Sequence, residues 1–393
     1  MQSAFPLHRR RYVSSFDGLR AVLVAGVLLY HLTGAQLFTA TGEVAVIAFF
    51  ALSGFLITFL LLDEQRARGR IDLRAFFRRR AVRLVPALVL LLGVWAVVAL
   101  AFRRAPWITA VPGGGPGGPM AVSTVAETVG AALAYVTNWL DAFVQYNLWT
   151  GYSPLGHLWS LAVEEQFYLV WGPAMMLLCR VRRGGWWITA LALAALAEPV
   201  LLYGEGTNRV YFGTDTRMSA LLVGAALGWW WRSGRLARLE RSAATPWIGL
   251  VSVAGLVVAG MGFRHPTVAW QWTGGIVLAS LASGGIVTYL ANRSTVGGVP
   301  GLLGRPAMVW LGQRSYAVYL WGYVFNTWFR SLGPLAAPLV VACTLVTAEA
   351  SYRLVEQPLR ARGRRVRAPA RPRPVVAPAP VEVLPVATPA PEL

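Results

Sequence analysis

The chain of 393 residues is 56% hydrophobic and only 13% charged, about half the charged share of an ordinary soluble protein, and its mean hydropathy is +0.53. Its formal charge of +19 is carried without lysine, all 36 basic residues being arginine. Apolar runs of about 17 to 25 residues recur along it, long enough to cross roughly 30 Å of hydrocarbon as helix. The positive charge therefore reads as loops flanking membrane spans and excludes a soluble nucleic-acid binder.

The expected fold is all-α, a polytopic transmembrane bundle of ten spanning helices at 17–37, 44–62, 82–101, 157–178, 186–203, 214–231, 246–262, 270–290, 310–330 and 335–355. The first run follows His8–Arg11 but holds Asp17, Arg20 and His31, and a second span follows at once, so it reads as a span and not as a signal peptide. An eleventh segment, 122–140, is short and contains Glu127 and Asn138. Its topology follows from the arginines. If it does not cross, thirty arginines share one side and only Arg103, Arg104, Arg209, Arg217, Arg264 and Arg330 lie on the other. If it crosses, the division becomes sixteen against twenty. The positive-inside rule favours the first arrangement: 122–140 is a re-entrant or surface helix on the outer face, and both termini are cytoplasmic in a multi-pass plasma-membrane protein. Three regions result: a cytoplasmic segment 1–16, a transmembrane domain 17–360, and a disordered Pro/Ala/Arg tail 361–393. Two cysteines and four histidines, with no C-x-x-C or H-E-x-x-H, give neither a disulfide framework nor a metal site.

Ionisable residues inside apolar spans are costly and mark candidate sites. Arg20 and His31 lie eleven residues apart, close to three helical turns, so they share one face at a separation of about 16 Å. Histidine is the side chain best suited to general-base work near neutral pH. Arg80 and Arg83 fall one turn apart at the mouth of the third span, a spacing suited to a phosphorylated ligand, whereas Arg66, Arg68, Arg70 and Arg74 read as an ordinary basic flank. Glu164 and Glu165 are adjacent within a span; neighbours on a helix point about 100° apart, so at most one faces a given cavity. Asp215 and Arg217 open the span at 214 and read equally as a local salt bridge.

Taken in order, Phe16-Asp17-Gly18-Leu19-Arg20 with His31, Phe49-Phe50-Ala51-Leu52-Ser53-Gly54-Phe55, Arg79-Arg80-Ala81-Val82-Arg83-Leu84-Val85-Pro86, Leu158-Trp159-Ser160-Leu161-Ala162-Val163-Glu164-Glu165-Gln166-Phe167-Tyr168, Asp215-Thr216-Arg217, Leu311-Gly312 through Tyr319-Leu320-Trp321 and Tyr352-Arg353-Leu354-Val355-Glu356 resemble the acyltransferase-3 family of membrane O-acyltransferases. The resemblance implies transfer of an acyl group, often acetyl, from cytoplasmic acyl-CoA to a hydroxyl of a glycan, a lipid-linked sugar or a secondary metabolite such as a macrolide. It implies that His31 is catalytic, with Glu164 or Glu165 orienting the imidazole, and that Arg20, Arg80 and Arg83 serve the CoA donor. Asp17, Ser53, Trp159, Ser160, Asp215, Arg217 and Tyr319, from the same motifs, are the candidate substrate contacts. His31 serves as a general base or is itself transiently acylated. The sequence departs from the family in having Gly322 where a histidine usually follows the late tryptophan, and a soluble hydrolase-like C-terminal domain is not expected. The competing class is a transporter or flippase, in which buried charges line a substrate path.

The topology has a direct test. Gly115→Cys and Asn147→Cys, each alone in a background lacking Cys179 and Cys343, are both expected to react with a membrane-impermeant thiol reagent in intact cells. Labelling at residue 115 alone means that 122–140 crosses.

Overall fold

A computed structural model describes residues 12–33, 36–105, 122–143, 155–236, 239, 242–262, 269–292 and 297–365. The N-terminal residues 1–11, the Gly/Pro-rich stretch 112–119, residues 145–153 and the tail from 366 lie outside the described residues. The described elements are helical. α1 is Ser14–Thr33, α2 Gln36–Arg68 and α3 Leu73–Ala101; α4 is Val122–Leu133 and α5 Thr137–Phe143. Then follow α6 Trp159–Leu178, α7 Gly184–Leu201, α8 Thr207–Phe212, α9 Thr214–Arg232, α10 Thr245–Gly262 and α11 Ile276–Asn292. The chain closes with α12 Gly298–Leu303, α13 Pro306–Gln313, α14 Ser315–Phe329, α15 Ala336–Ser351 and α16 Gln357–Arg365. Six helical stretches are long and apolar enough to cross a membrane. The remaining expected spans are present as helices that are shorter or that carry charge, such as α6 with its two glutamates and α9 with Asp215 and Arg217.

The bundle is organised on the pair α2 and α9. Glu43 near the start of α2 meets Arg217 near the start of α9 at 3.5 Å, and Asp63 near the end of α2 meets Arg232 at the end of α9 at 2.8 Å. Between these pairs the backbones touch through glycine. A Cβ added to Gly54 would lie 1.9 Å from the carbonyl oxygen of Leu221, and one on Gly224 would lie 1.9 Å from that of Ala51. Small residues at such crossings let helices approach where lipid supplies no hydrophobic drive. Start meets start and end meets end, so α2 and α9 run parallel. Between them lie the spans α3, α6 and α7. A further crossing at 122–140 would make α2 and α9 antiparallel, so the geometry agrees with the arginine count.

The segment 122–140 is a broken hairpin. α4 ends, the chain turns through Tyr135 at φ 55°, and α5 begins. The turn reaches to the level of Gln166, well inside α6: Gln166 Nε2 donates to the carbonyl of Tyr135 at 2.6 Å and to Asn138 Oδ1 at 2.8 Å, while Trp139 Nε1 donates to Gln166 Oε1 at 3.0 Å. Non-helical backbone is tolerated at that depth because protein groups satisfy it. The segment is therefore re-entrant.

Two expectations need correction. The span at 310–330 divides at Arg314, where the backbone leaves the α13 axis and the guanidinium turns to Glu349 of α15 in a bidentate pair. The tail expected to be unstructured from 361 is still helical through Arg365. The two described ends lie on one face, linked through Gln313, which reaches Tyr12 and also Tyr352.

The glycine contact yields a stability prediction. Gly54→Ala should destabilise the detergent-solubilised protein by about 1–3 kcal/mol through overpacking, visible as a lower Tm. Gly93→Ala, at a position with nothing within 4 Å, should leave Tm unchanged or slightly raised.

Candidate active site

Two cavities lie in line along α1, α6 and α14. The larger, of about 400 Å³, begins among Tyr12, Arg20 and Arg83 on the arginine-rich face and ends at Val27, Ser160 and Tyr319; Ser53, Arg80 and Glu164 also line it. The smaller, of about 130 Å³, is lined by Tyr30, His31, Gly156, His157, Trp159, Tyr211, Phe212 and Tyr323. The same order holds on each helix. On α1, Arg20 and Val27 face the first cavity, and Tyr30 and His31 the second. On α14, Tyr319 faces the first, and Tyr323, one turn on, the second. On α6 and the turn before it, Glu164 and Ser160 face the first, and Trp159 and His157 the second.

A polar partition separates them. The Tyr319 hydroxyl donates to the carbonyl of His157 and is 3.0 Å from Ser160 Oγ. Its ring meets the imidazole of His157 edge-on at 5.2 Å. Beyond the partition, the Tyr323 ring lies between two histidines, stacked on His157 at 4.7 Å and edge-on to His31 at 4.9 Å. The carbonyl of Val27, one turn back on α1, faces the His31 imidazole.

The arginines of the larger cavity differ in how they are held. Arg80 donates to Glu165 at 2.9 Å, and its guanidinium lies 3.2 Å over the Tyr168 ring. Arg20 donates at 2.9 Å to Asp17, whose other oxygen accepts from Tyr12 at 2.6 Å. Arg83 makes no ion pair among the described residues, and Arg20, Arg80 and Arg360 stand close enough to repel it. Such convergence of like charge suits a bound polyanion. Ser53 lies within hydrogen-bonding reach of Glu164 and Tyr168.

Of the residues singled out in the sequence, Arg20, Arg80, Arg83, Ser53, Ser160, Glu164 and Tyr319 share the first cavity, while His31 and Trp159 line the second. The pairing of His31 with an acidic neighbour is not found. Glu165 is turned to Arg80 and Glu164 lines the other cavity, as the angle between neighbouring helical positions requires. Asp17 acts on Arg20 and lines neither cavity. Asp215 and Arg217 do not pair with each other: Asp215 takes a bidentate pair from Arg209, and Arg217 turns to Glu43 and donates to the carbonyl of Tyr211 at 2.5 Å. Arg217 stands behind the second cavity, 4.3 Å over the Tyr211 ring and 5.3 Å from that of Trp159. Gly322 leaves room that Leu28 fills; a Cβ there would come within 2.9 Å of its side chain.

The sequence patterns do not pick out Tyr30, Glu43 or Tyr323 as site residues. Glu43 lies just outside the span that begins at 44, although an acid beside an apolar run is itself a signal. Tyr319 and Tyr323 are four apart and so share a helix face, but nothing local places His157 against both. Among the described residues no group of His, Cys, Asp and Glu could hold a metal.

An acyltransferase-domain family matches residues 13–348. The chain is 32% identical over 376 residues to the O-acetyltransferase OatA of Staphylococcus aureus strain NCTC 8325 and to OatA of strain COL, covering 91% of this chain and 58% of each relative. It thus spans less than two thirds of the length of the curated relatives it matches. No solved structure matches. The chain belongs to the acyltransferase-3 family.

Proposed function

We propose that the protein is an integral membrane O-acyltransferase. It takes a short acyl group, acetyl above all, from cytoplasmic acyl-CoA and passes it to a hydroxyl of a glycan, a lipid-linked sugar or a secondary metabolite. The observation that carries this reading is the alignment of the two cavities, with arginines at one end and a histidine at the other. The arginine-rich face is the cytoplasmic one by the positive-inside rule, in the plasma membrane, with both described ends on that side.

The CoA phosphates are polyanionic and suit guanidinium donors. Arg83 meets them with an uncommitted guanidinium and Arg20 with one steadied by Asp17. Arg80, committed to Glu165 and Tyr168, shapes the wall and adds charge. The pantetheine arm, on the order of 15 to 20 Å when extended, matches the rise along α1 from Arg20 to His31. The thioester then reaches the Ser160–Tyr319 partition.

A neutral His31 takes the proton from the acceptor hydroxyl as its oxygen attacks the thioester carbonyl. The Val27 carbonyl lies beside the imidazole; with the ring N–H turned to it, the other ring nitrogen is the base. The C–S bond then breaks, and the CoA thiolate recovers the proton. The names of the OatA relatives support O-acetyl transfer; the acceptor class follows from the family resemblance.

His31→Ala should lower acyl transfer by about 10²–10⁴-fold, the usual share of a general base, with insertion and Tm unchanged. Turnover of acetyl-CoA within a few-fold of wild type would remove His31 from the mechanism. A transporter would move substrate without releasing CoA thiol, which the same assay detects.

Arg83→Ala should raise KM for acyl-CoA, and its difference from wild type should narrow at high salt, where the lost attraction is screened anyway. Arg80→Ala should also lower Tm, because it leaves Glu165 unpaired. Arg68→Ala, which removes only an exposed pair with Glu64, should change neither. Equal behaviour of all three would make the arginines a diffuse basic flank.

A further inference from the structure

The second cavity holds more chemistry than one base requires. His157 is 5% exposed, and both of its ring nitrogens are buried without a hydrogen-bond partner. The carbonyl of Leu320 lies near the ring, yet neither nitrogen meets it in hydrogen-bonding geometry. Stacking on Tyr323 fixes the ring plane, and the edge-on contact with Tyr319 holds it against the partition. A buried donor left unpaired costs about 1–3 kcal/mol, and such groups recur where a ligand completes the bond. A neutral imidazole carries one N–H and one acceptor nitrogen. Two imidazoles across one tyrosine ring can therefore divide the work, His31 presenting an acceptor nitrogen and His157 an uncommitted N–H.

We propose that His157 is a second catalytic residue, donating its ring N–H to the thioester carbonyl oxygen and to the oxyanion that oxygen becomes. This rests on the acyl-CoA reading of the first cavity. In the step it serves, the acceptor oxygen bonds to the carbonyl carbon while its proton goes to His31. The C=O π pair moves onto oxygen, where the His157 N–H holds it. The pair then returns, the C–S bond breaks, and the thiolate leaves with the proton from the His31 imidazolium. The carbonyl of His157 has a separate task, accepting from Tyr319, so the backbone of this residue builds the partition that its side chain works beside. A cavity of about 130 Å³ has room for the acyl group and the attacking hydroxyl.

Binding of two inert CoA thioethers tests this without knowledge of the acceptor. S-acetonyl-CoA carries a ketone oxygen; S-propyl-CoA is its near-isostere without that oxygen. The wild type should bind the ketone on the order of tenfold more tightly, the worth of one net hydrogen bond. His157→Leu should abolish that preference and keep the affinity for S-propyl-CoA, while His157→Gln, which retains an N–H donor, should keep part of the preference. In turnover of acetyl-CoA, His157→Leu should lower kcat by about 10²–10³-fold, as loss of an oxyanion donor does, and raise KM by no more than about the tenfold set by the ground-state hydrogen bond. An undiminished ketone preference in His157→Leu overturns the proposal while leaving the donor site intact. Equal loss of both ligands in the Leu and Gln variants shows a purely structural role and also overturns it. Failure of the wild type to bind either thioether refutes the donor reading itself, and this inference with it.

Discussion

Hydrocarbon does not solvate charge, so an ionised group inside the bundle needs a partner, and where its own helix offers none another helix must supply it. This constraint fixes the arrangement of α2 and α9. Glu43 and Asp63 sit near the two ends of α2, and Arg217 and Arg232 near the two ends of α9; the pairs can form together only if the helices run parallel and in register. The glycines between them set the depth of contact. The parallel course of α2 and α9 then excludes a crossing at 122–140, and the hydrogen bonds from Gln166 hold its turn inside the bundle. The chain thereby places Gln166 against Tyr135 and Asn138, and the turn before α6 and its first residues carry His157, Trp159 and Ser160 into the bundle interior.

The same economy of charge shapes the first cavity. Three of its ionisable groups are held by neighbours: Arg80 by Glu165, Arg20 by Asp17, and Glu164 by Ser53. Arg83 alone of the three cavity arginines lacks a fixed partner among the described residues. Past the Ser160–Tyr319 partition the charges stop. The second cavity is walled by aromatic rings and two imidazoles, groups that can be buried neutral. The arginine-lined cavity and the aromatic one thus stand in line on either side of the partition. Arg217 stands behind the Trp159 and Tyr211 rings, and its charge is balanced there by Glu43.

Local pattern made much of this legible. Span lengths, the arginine bias and the eleven-residue interval from Arg20 to His31 each depend on helix geometry within one segment, and the structure follows them. The partners of those residues depend on which helices meet, and that is not written locally. The sequence neighbours Asp215 and Arg217 suggested a salt bridge, yet each turns to a different partner because Glu43, 174 positions earlier in the chain, meets Arg217 in space. Glu164 and Glu165 look interchangeable until Arg80 claims one of them. His157 looks like a motif flank because its significance comes from Tyr319 and Tyr323 on α14. Gly322 looks like a lost functional group; in space it is a packing position against Leu28.

On the proposed function, acyl-CoA threads the first cavity from the arginine-rich face and presents its thioester at the partition before His31. An experimental structure of the protein with S-acetonyl-CoA bound addresses this most directly. The account predicts phosphates beside Arg20 and Arg83, the pantetheine arm running past Ser53 and Glu164, and the ketone at the Ser160–Tyr319 partition within reach of His31 and His157. A ligand entering from the opposite face, or a ketone lodged away from both histidines, would contradict it.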